Sequence, residues 1–246
     1  MNEIKSFGSI NKGNEFLFIS DFYKKNNCSL IYIARDDKEI FQLTKKINWF
    51  LPSANLLLFR SWDQIPYDKV SPSIEIQSER IRTLYKILNS KKQNIILTSV
   101  NAIIQKTINK EFVYNNLIEI FINKITSYNN LIDKIFSLGY KRTSLVREKS
   151  EFAVRGSIID IFLTNHQNPI RLDFYDNKIE NICEFDKISQ KKIKNINDKI
   201  IICPSNELLI NENSINIFRK NFRKIFPDYR RSHVYKLFSE SIIPPG

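Results

Sequence analysis

Between Ser29 and Val100 the chain alternates short apolar runs with longer amphipathic stretches. That is the rhythm of parallel strands joined by crossover helices. SLIYIA (29–34) reads as a buried strand, NLLLF (55–59) as the next strand and NIILTSV (94–100) as a third. The stretch 36–50 places Ile40, Leu43, Ile47 and Phe50 at three- and four-residue spacing and predicts a helix, opened by Asp36 and Asp37 where the helix dipole favours acids. A second helix is predicted over 71–90, with Ser71 or Ser73 as its cap and Ile74, Ile81, Leu84 and Leu88 along one face.

Near residue 112 the rhythm changes. NNLIDKIFSLGY (129–140) predicts a helix that stops at Gly139, the residue best suited to a left-handed cap. The runs that follow, LVREK, EFAVRG, SIIDIFL and IRLDFYDNKIENICEF, alternate with period two, and Asp176-Asn177 is placed for a tight turn. An antiparallel sheet is expected there. After a lysine-rich joint (189–199), KIIICPSNE predicts one more strand, and SINIFRKNFRKIF (214–226) a basic helix with Ile217, Phe218, Phe222 and Ile225 on its apolar side. The pattern therefore predicts three segments: a parallel α/β layer over 1–118, an inserted α+β domain with an antiparallel sheet over 119–198, and a return to the first layer over 199–246.

At 42% hydrophobic and 12% aromatic residues, the 246-residue chain has enough apolar surface for a packed core. The longest apolar runs are far shorter than the roughly 20 residues of a membrane span, and the first residues lack the layout of a secretory signal. A soluble cytoplasmic protein with no membrane partner is expected. Cys28, Cys183 and Cys203 are odd in number and far apart, and only two histidines accompany them. Neither a disulfide framework nor a metal site follows. The net charge of +12 invites a general DNA-binding reading, but the excess lies mostly in the flanking segments, in lysine-, asparagine- and isoleucine-rich stretches that recur along the chain.

Candidate chemistry begins at FGSINKGNEFLFI (7–19). Gly8 and Gly13 have the spacing of a phosphate-binding loop, in which backbone N–H groups surround the phosphates, a lysine neutralises them and a hydroxyl holds magnesium. Asn14 and Glu15 stand where lysine and Ser or Thr are needed. The loop is expected to be inactive, with no cofactor for this chain. No G-x-S-x-G elbow, H-E-x-x-H helix or later D-E-x-D run supplies other catalysis. Binding is the expected activity, and no catalytic residue is assigned.

In R171-L-D-F-Y175, alternation sends Leu172 and Phe174 to one face and Arg171, Asp173 and Tyr175 to the other. Arginine and tyrosine are enriched at interface hot spots. Arg155 stands before Gly156, where a small residue would let a neighbour approach. The competing reading is an ordinary exposed strand face with ion pairs such as Arg171 to Asp173.

IPYDKVSPSIEIQSERIRTLYKI (65–87), GYKRTSLVREKSEFAVRGSIIDIF (139–162) and PIRLDFYDNKIENICEFDKISQ (169–190) resemble the N-terminal region of the bacterial transcription-repair coupling factors, the Mfd family. The resemblance implies a module homologous to the excision-repair protein UvrB: a degenerate phosphate-loop-type parallel sheet domain interrupted by a smaller α+β domain. It implies that the smaller domain recruits UvrA through Arg155, Arg171 and Tyr175. Phenylalanine is the family's commoner aromatic at the last position. Binding of RNA polymerase and DNA, and the use of ATP and magnesium for translocation, belong in that family to domains expected outside this chain. A UvrB-like excinuclease fragment is the alternative. UvrB, however, carries an intact phosphate loop and a long aromatic hairpin, whereas YDKVSPSIEIQSER here passes directly into a helix.

Overall fold

The computed structural model describes residues 13–64 and 70–242. Their chain is a mixed α/β structure with one parallel and two antiparallel or largely antiparallel sheets. In order the elements are α1 (Glu15–Lys25), β1 (Leu30–Ala34), α2 (Asp37–Phe50), β2 (Asn55–Phe59), α3 (Ile74–Asn89), β3 (Asn94–Ser99), α4 (Val100–Ile104), α5 (Lys110–Asn115), β4 (Ile118–Ile120) and α6 (Tyr128–Ser137). There follow β5 (Lys141–Arg142), β6 (Glu151–Arg155), β7 (Ile158–Ile161), β8 (Ile170–Tyr175), β9 (Lys178–Phe185), β10 (Lys192–Asn195), β11 (Ile200–Ile202), α7 (Glu212–Ile225), a 3-10 turn (Tyr229–Arg231) and α8 (His233–Ser239). Packing divides them into two units: residues 1–61 with 86–106, and residues 62–85 with 107–246.

The first unit is built on a three-stranded parallel sheet in the order β1-β3-β2. β3 is central and all six of its residues are buried, which is why NIILTS tolerates no charged position. α2 lays Ile40, Leu43 and Ile47 against Ile95 and Leu97 of β3 and against Ile19 of α1. Its first turn is fixed by Asp36, whose carboxylate accepts the Glu39 N–H at 2.9 Å. The same contact holds the Asp36 carboxyl below its usual range. Phe50, expected on the buried stripe, is exposed and meets Phe16 edge-on instead.

The second unit carries a six-stranded sheet in the order β10-β9-β8-β7-β6-β5, antiparallel except for the short β5–β6 pair. One face of it supplies Phe152, Ile159, Ile161, Leu172 and Ile182 to a core closed by Leu131 and Ile135 of α6. α6 ends as its sequence predicts, with Gly139 at φ +84° donating to Phe136 O at 2.9 Å. Glycine is doubly required there, since a Cβ would lie 2.7 Å from Ser205 Oγ. β11 pairs with β4 in a separate two-stranded ladder, so residues 200–202 belong to this unit.

Two helical faces differ from expectation. In α3, Ser73 is the cap (Oγ accepting from Ile76 N–H at 3.4 Å), but Ile74 is exposed and the buried stripe runs through Ile76, Arg80, Ile81 and Thr83. In α7, capped reciprocally by Asn211 and Ser214, Ile215 is buried and Phe218 and Phe222 are half-buried, whereas Ile217 and Ile225 face solvent. The phenylalanines set the register there. They pack with Tyr235 and Phe238 of α8 at ring separations of 4.3–6.0 Å.

Candidate functional site

The outer face of the six-stranded sheet, opposite the α6 core, is where β7 and β8 bring charge together. Asp160 of β7 lies directly across from Ala153 of β6 and Arg171 of β8. Its side chain is 1% exposed, yet it sits in an otherwise apolar strand, so it needs partners to offset the cost of burial. Two arginines supply them. Arg171 donates Nε to Asp160 Oδ1 at 2.6 Å and an NH2 proton to Oδ2 at 3.0 Å, a fork-on-fork pair. Arg155 reaches Oδ2 from the diagonal position on β6.

The two guanidinium groups are not equivalent. Arg171, 19% exposed, lies over the Phe185 ring at 4.7 Å, and its bond to Asp160 raises its pKa. Arg155 is 45% exposed and holds the carboxylate through one NH2 nitrogen. Each keeps further N–H groups beyond those bonded to Asp160. One carboxylate against two cations leaves the trio at a formal +1.

Tyr175 shares this face by alternation, four residues along β8 from Arg171 and therefore roughly 13 Å away. At 66% exposure it is the most open large side chain of its strand. It sits opposite Lys178, at the two-residue Asp176-Asn177 turn, where Asp176 adopts φ +51°. The structure thus joins Arg155 to Arg171 through Asp160 and sets Tyr175 apart at the strand end. Asp173 takes its bond from Asn181 Nδ2 at 2.9 Å, so the ion pair of Arg171 with Asp173 gives way to the one with Asp160.

Gly156 is needed for conformation rather than for space. Its φ is +58° in the β6–β7 turn, and a Cβ built on it would meet nothing within 4 Å. Behind the turn, Tyr128 of α6 donates its hydroxyl to Gly156 O at 2.6 Å and packs edge-on to Phe174 at 5.1 Å. These contacts anchor the hairpin that carries Arg155. Asp160, the shared partner of both arginines, shows in the sequence only as a lone acid inside SIIDIFL.

At the start of α1, Glu15 turns its carboxylate back to accept the Gly13 N–H at 3.0 Å. Asn14, at the N-cap, makes no side-chain cap bond, and Lys46 of α2 donates to Gly13 O at 2.8 Å. Gly8 lies outside the described residues, as do residues 65–69 of the stretch leading into α3. Among the described residues no group of three His, Cys, Asp or Glu side chains is placed to hold a metal ion, and no helix is long and apolar enough to cross a membrane. Cys183 and Cys203 are buried and Cys28 is exposed; burial pushes the Cys203 thiol up to about 12.

Residues 118–208 match the family described as the UvrB interaction domain. The whole chain aligns with the transcription-repair-coupling factor of Haemophilus influenzae at 29% identity, covering 100% of this chain and 21% of that protein. The factor of Rickettsia bellii is 31% identical over 86% of this chain and 19% of its own length, and that of Escherichia coli K12 is 27% identical over 93% and 20%. The chain spans about one fifth of the length of the curated relatives it matches. Arg155, Asp160, Arg171 and Tyr175 all fall within the matched 118–208 segment. The chain is similar over its whole length to a transcription-repair-coupling factor, and its six-stranded sheet lies in the segment that matches the UvrB interaction domain.

Proposed function

We propose that this chain is a recruitment module of transcription-coupled repair, docking the excision-repair subunit UvrA on the outer face of the six-stranded sheet. The observation that carries the reading is the arginine pair on Asp160, with exposed Tyr175 on the same face, inside the segment that matches the UvrB interaction domain. Arginine and tyrosine are the residue types that dominate interface energetics, because they combine flat contact area with directional donors. A sheet rigidly packed on its other side presents them with little rearrangement. In this reading the relatives' transcription-repair role reaches the chain through UvrA, while polymerase binding and DNA translocation belong to the rest of such a factor.

The loop at Gly13 supports binding over catalysis. A nucleotide phosphate there would have to displace the Glu15 carboxylate from the Gly13 N–H and then remain beside it, without a lysine at position 14. The residues do not fit a triphosphate, and the module works without a nucleotide of its own. Retention of purified UvrA by immobilised wild-type chain and by Arg171→Ala tests the docking face. Loss of one hot-spot side chain costs about 2 kcal/mol or more, so retention is expected to fall at least about tenfold. Equal retention would remove this face from consideration.

A further inference from the structure

We propose that Asp160 is the positioning residue of this face: it fixes Arg155 and Arg171 in the geometry that a partner meets, without touching the partner itself. The inference rests on the UvrA-docking reading and adds a residue to it. At 1% exposure Asp160 has no surface to offer, so any effect on binding must pass through groups bonded to it. Both of its oxygens are occupied, Oδ1 by Arg171 Nε and Oδ2 by NH2 groups of both arginines. An exposed arginine is a flexible, rotamer-rich chain that loses freedom when a partner orders it. Here that ordering is already done in the free protein. Arg171 is held between a bidentate carboxylate and the Phe185 ring, and Arg155 is bonded through NH2 to the same carboxylate.

The placement follows from the ladder. β7 is an inner strand of the sheet, so Asp160 is backed on both sides, by β6 and β8. The directly opposite residue on β6 is Ala153, and Arg155 bonds to Asp160 from the diagonal position. The partner chemistry also follows: a trio at formal +1 with spare N–H groups suits carboxylates or backbone carbonyls of UvrA and repels a basic surface.

Calorimetric titration of UvrA into wild type, Asp160→Asn, the Arg155→Ala/Arg171→Ala double variant and the combined triple variant tests the inference. Asp160→Asn is expected to weaken binding about tenfold. The same change is expected to do nothing further once both arginines are gone, because a residue acting through them has nothing left to act on. Wild-type affinity for Asp160→Asn, or an undiminished loss in the arginine-free background, overturns the proposal. Undiminished binding by the double variant would sink the docking reading, and this proposal with it; a weakened double variant beside an unaffected Asp160→Asn sinks this proposal alone.

Two further measurements do not depend on the Asn variant folding well. Arg171→Lys keeps the charge but cannot fork onto Asp160 or stack flat on Phe185, and is expected to bind nearly as poorly as Arg171→Ala. Wild-type affinity in Arg171→Lys would count against positioning. In free wild-type chain the Arg171 Nε–H nitrogen-15 signal is expected to be resolved and slow to exchange with water, and a signal exchanging as fast as that of a free arginine would overturn the fixed geometry.

Discussion

The second unit contains two carboxylate–guanidinium clusters built from the same chemistry and turned opposite ways. Arg80 of α3, at 0% exposure, is paired with Glu207, and its guanidinium lies 5.1 Å from the centre of the Trp62 ring, whose Nε1 also donates to Glu207 at 3.3 Å. That cluster joins three distant stretches of chain. Around Asp160 the carboxylate is the buried member and the arginines reach outward. In the Arg80 pair neither side chain is more than 9% exposed, whereas around Asp160 the anion alone is fully buried and the two cations are partly exposed.

Breaking the inward cluster should have the largest effect on stability. Glu207→Ala removes the carboxylate to which the buried Arg80 guanidinium donates, and a loss of about 1.5–3 kcal/mol in urea unfolding is expected. Such a loss is a large part of the roughly 5–15 kcal/mol that holds a domain together. The protein that remains folded should bind UvrA normally. An unfolding midpoint close to wild type would mean that water or another group compensates Arg80, and the contrast between the clusters would fail.

Arg171→Ala is the matching test of the outward cluster. Its binding loss, at least about tenfold, should come with a stability change of only about 1–2 kcal/mol, because the freed Asp160 keeps Arg155. Tyr175→Ala sharpens the point further. This side chain is mostly exposed, so stability should stay within about 0.5 kcal/mol while UvrA retention falls. If instead Tyr175→Ala unfolds the chain and spares binding, the assignment of outward groups to function is reversed.

Alternation made the arginine and tyrosine of the outward face legible, but neither Asp160 nor the Arg80 cluster. Period-two alternation put Arg171 and Tyr175 on one side of β8 because strand geometry leaves no other choice. Asp160 is present as an acid within SIIDIFL, but its partners depend on strand register, which no local pattern supplies. Arg80 was invisible: in an amphipathic helix an arginine reads as solvent-facing, and its partner lies 127 residues away. The same limit moved the apolar face of α7, where the aromatic side chains of α8, not the isoleucines at 217 and 225, decide which side is covered. Segment boundaries at 118/119 and 198/199 follow changes of rhythm, while packing groups residues 200–202 with the second unit, because β11 finds its partner in β4.

His166 offers the smallest effect and the cleanest control, since it is a partly buried ionisable group that neither cluster pairs. Burial pushes its pKa below the ordinary histidine value; Glu184 pulls the other way, and the nearby cations Lys149, Lys194 and Arg82 add to the depression. A group whose folded pKa is depressed binds its proton more readily in the unfolded chain. Its contribution is therefore fully present above the unfolded value near 6.5 and is lost as pH falls through the folded pKa. Unfolding free energy should decline below about pH 6.5 in wild type, and the decline should be shallower in His166→Gln. The acid-linked loss of UvrA binding, if any appears, should be the same in both proteins, because His166 is not among the bonded partners of Asp160, Arg155 or Arg171. A wild-type slope unchanged by His166→Gln would remove His166 as the source of the acid sensitivity.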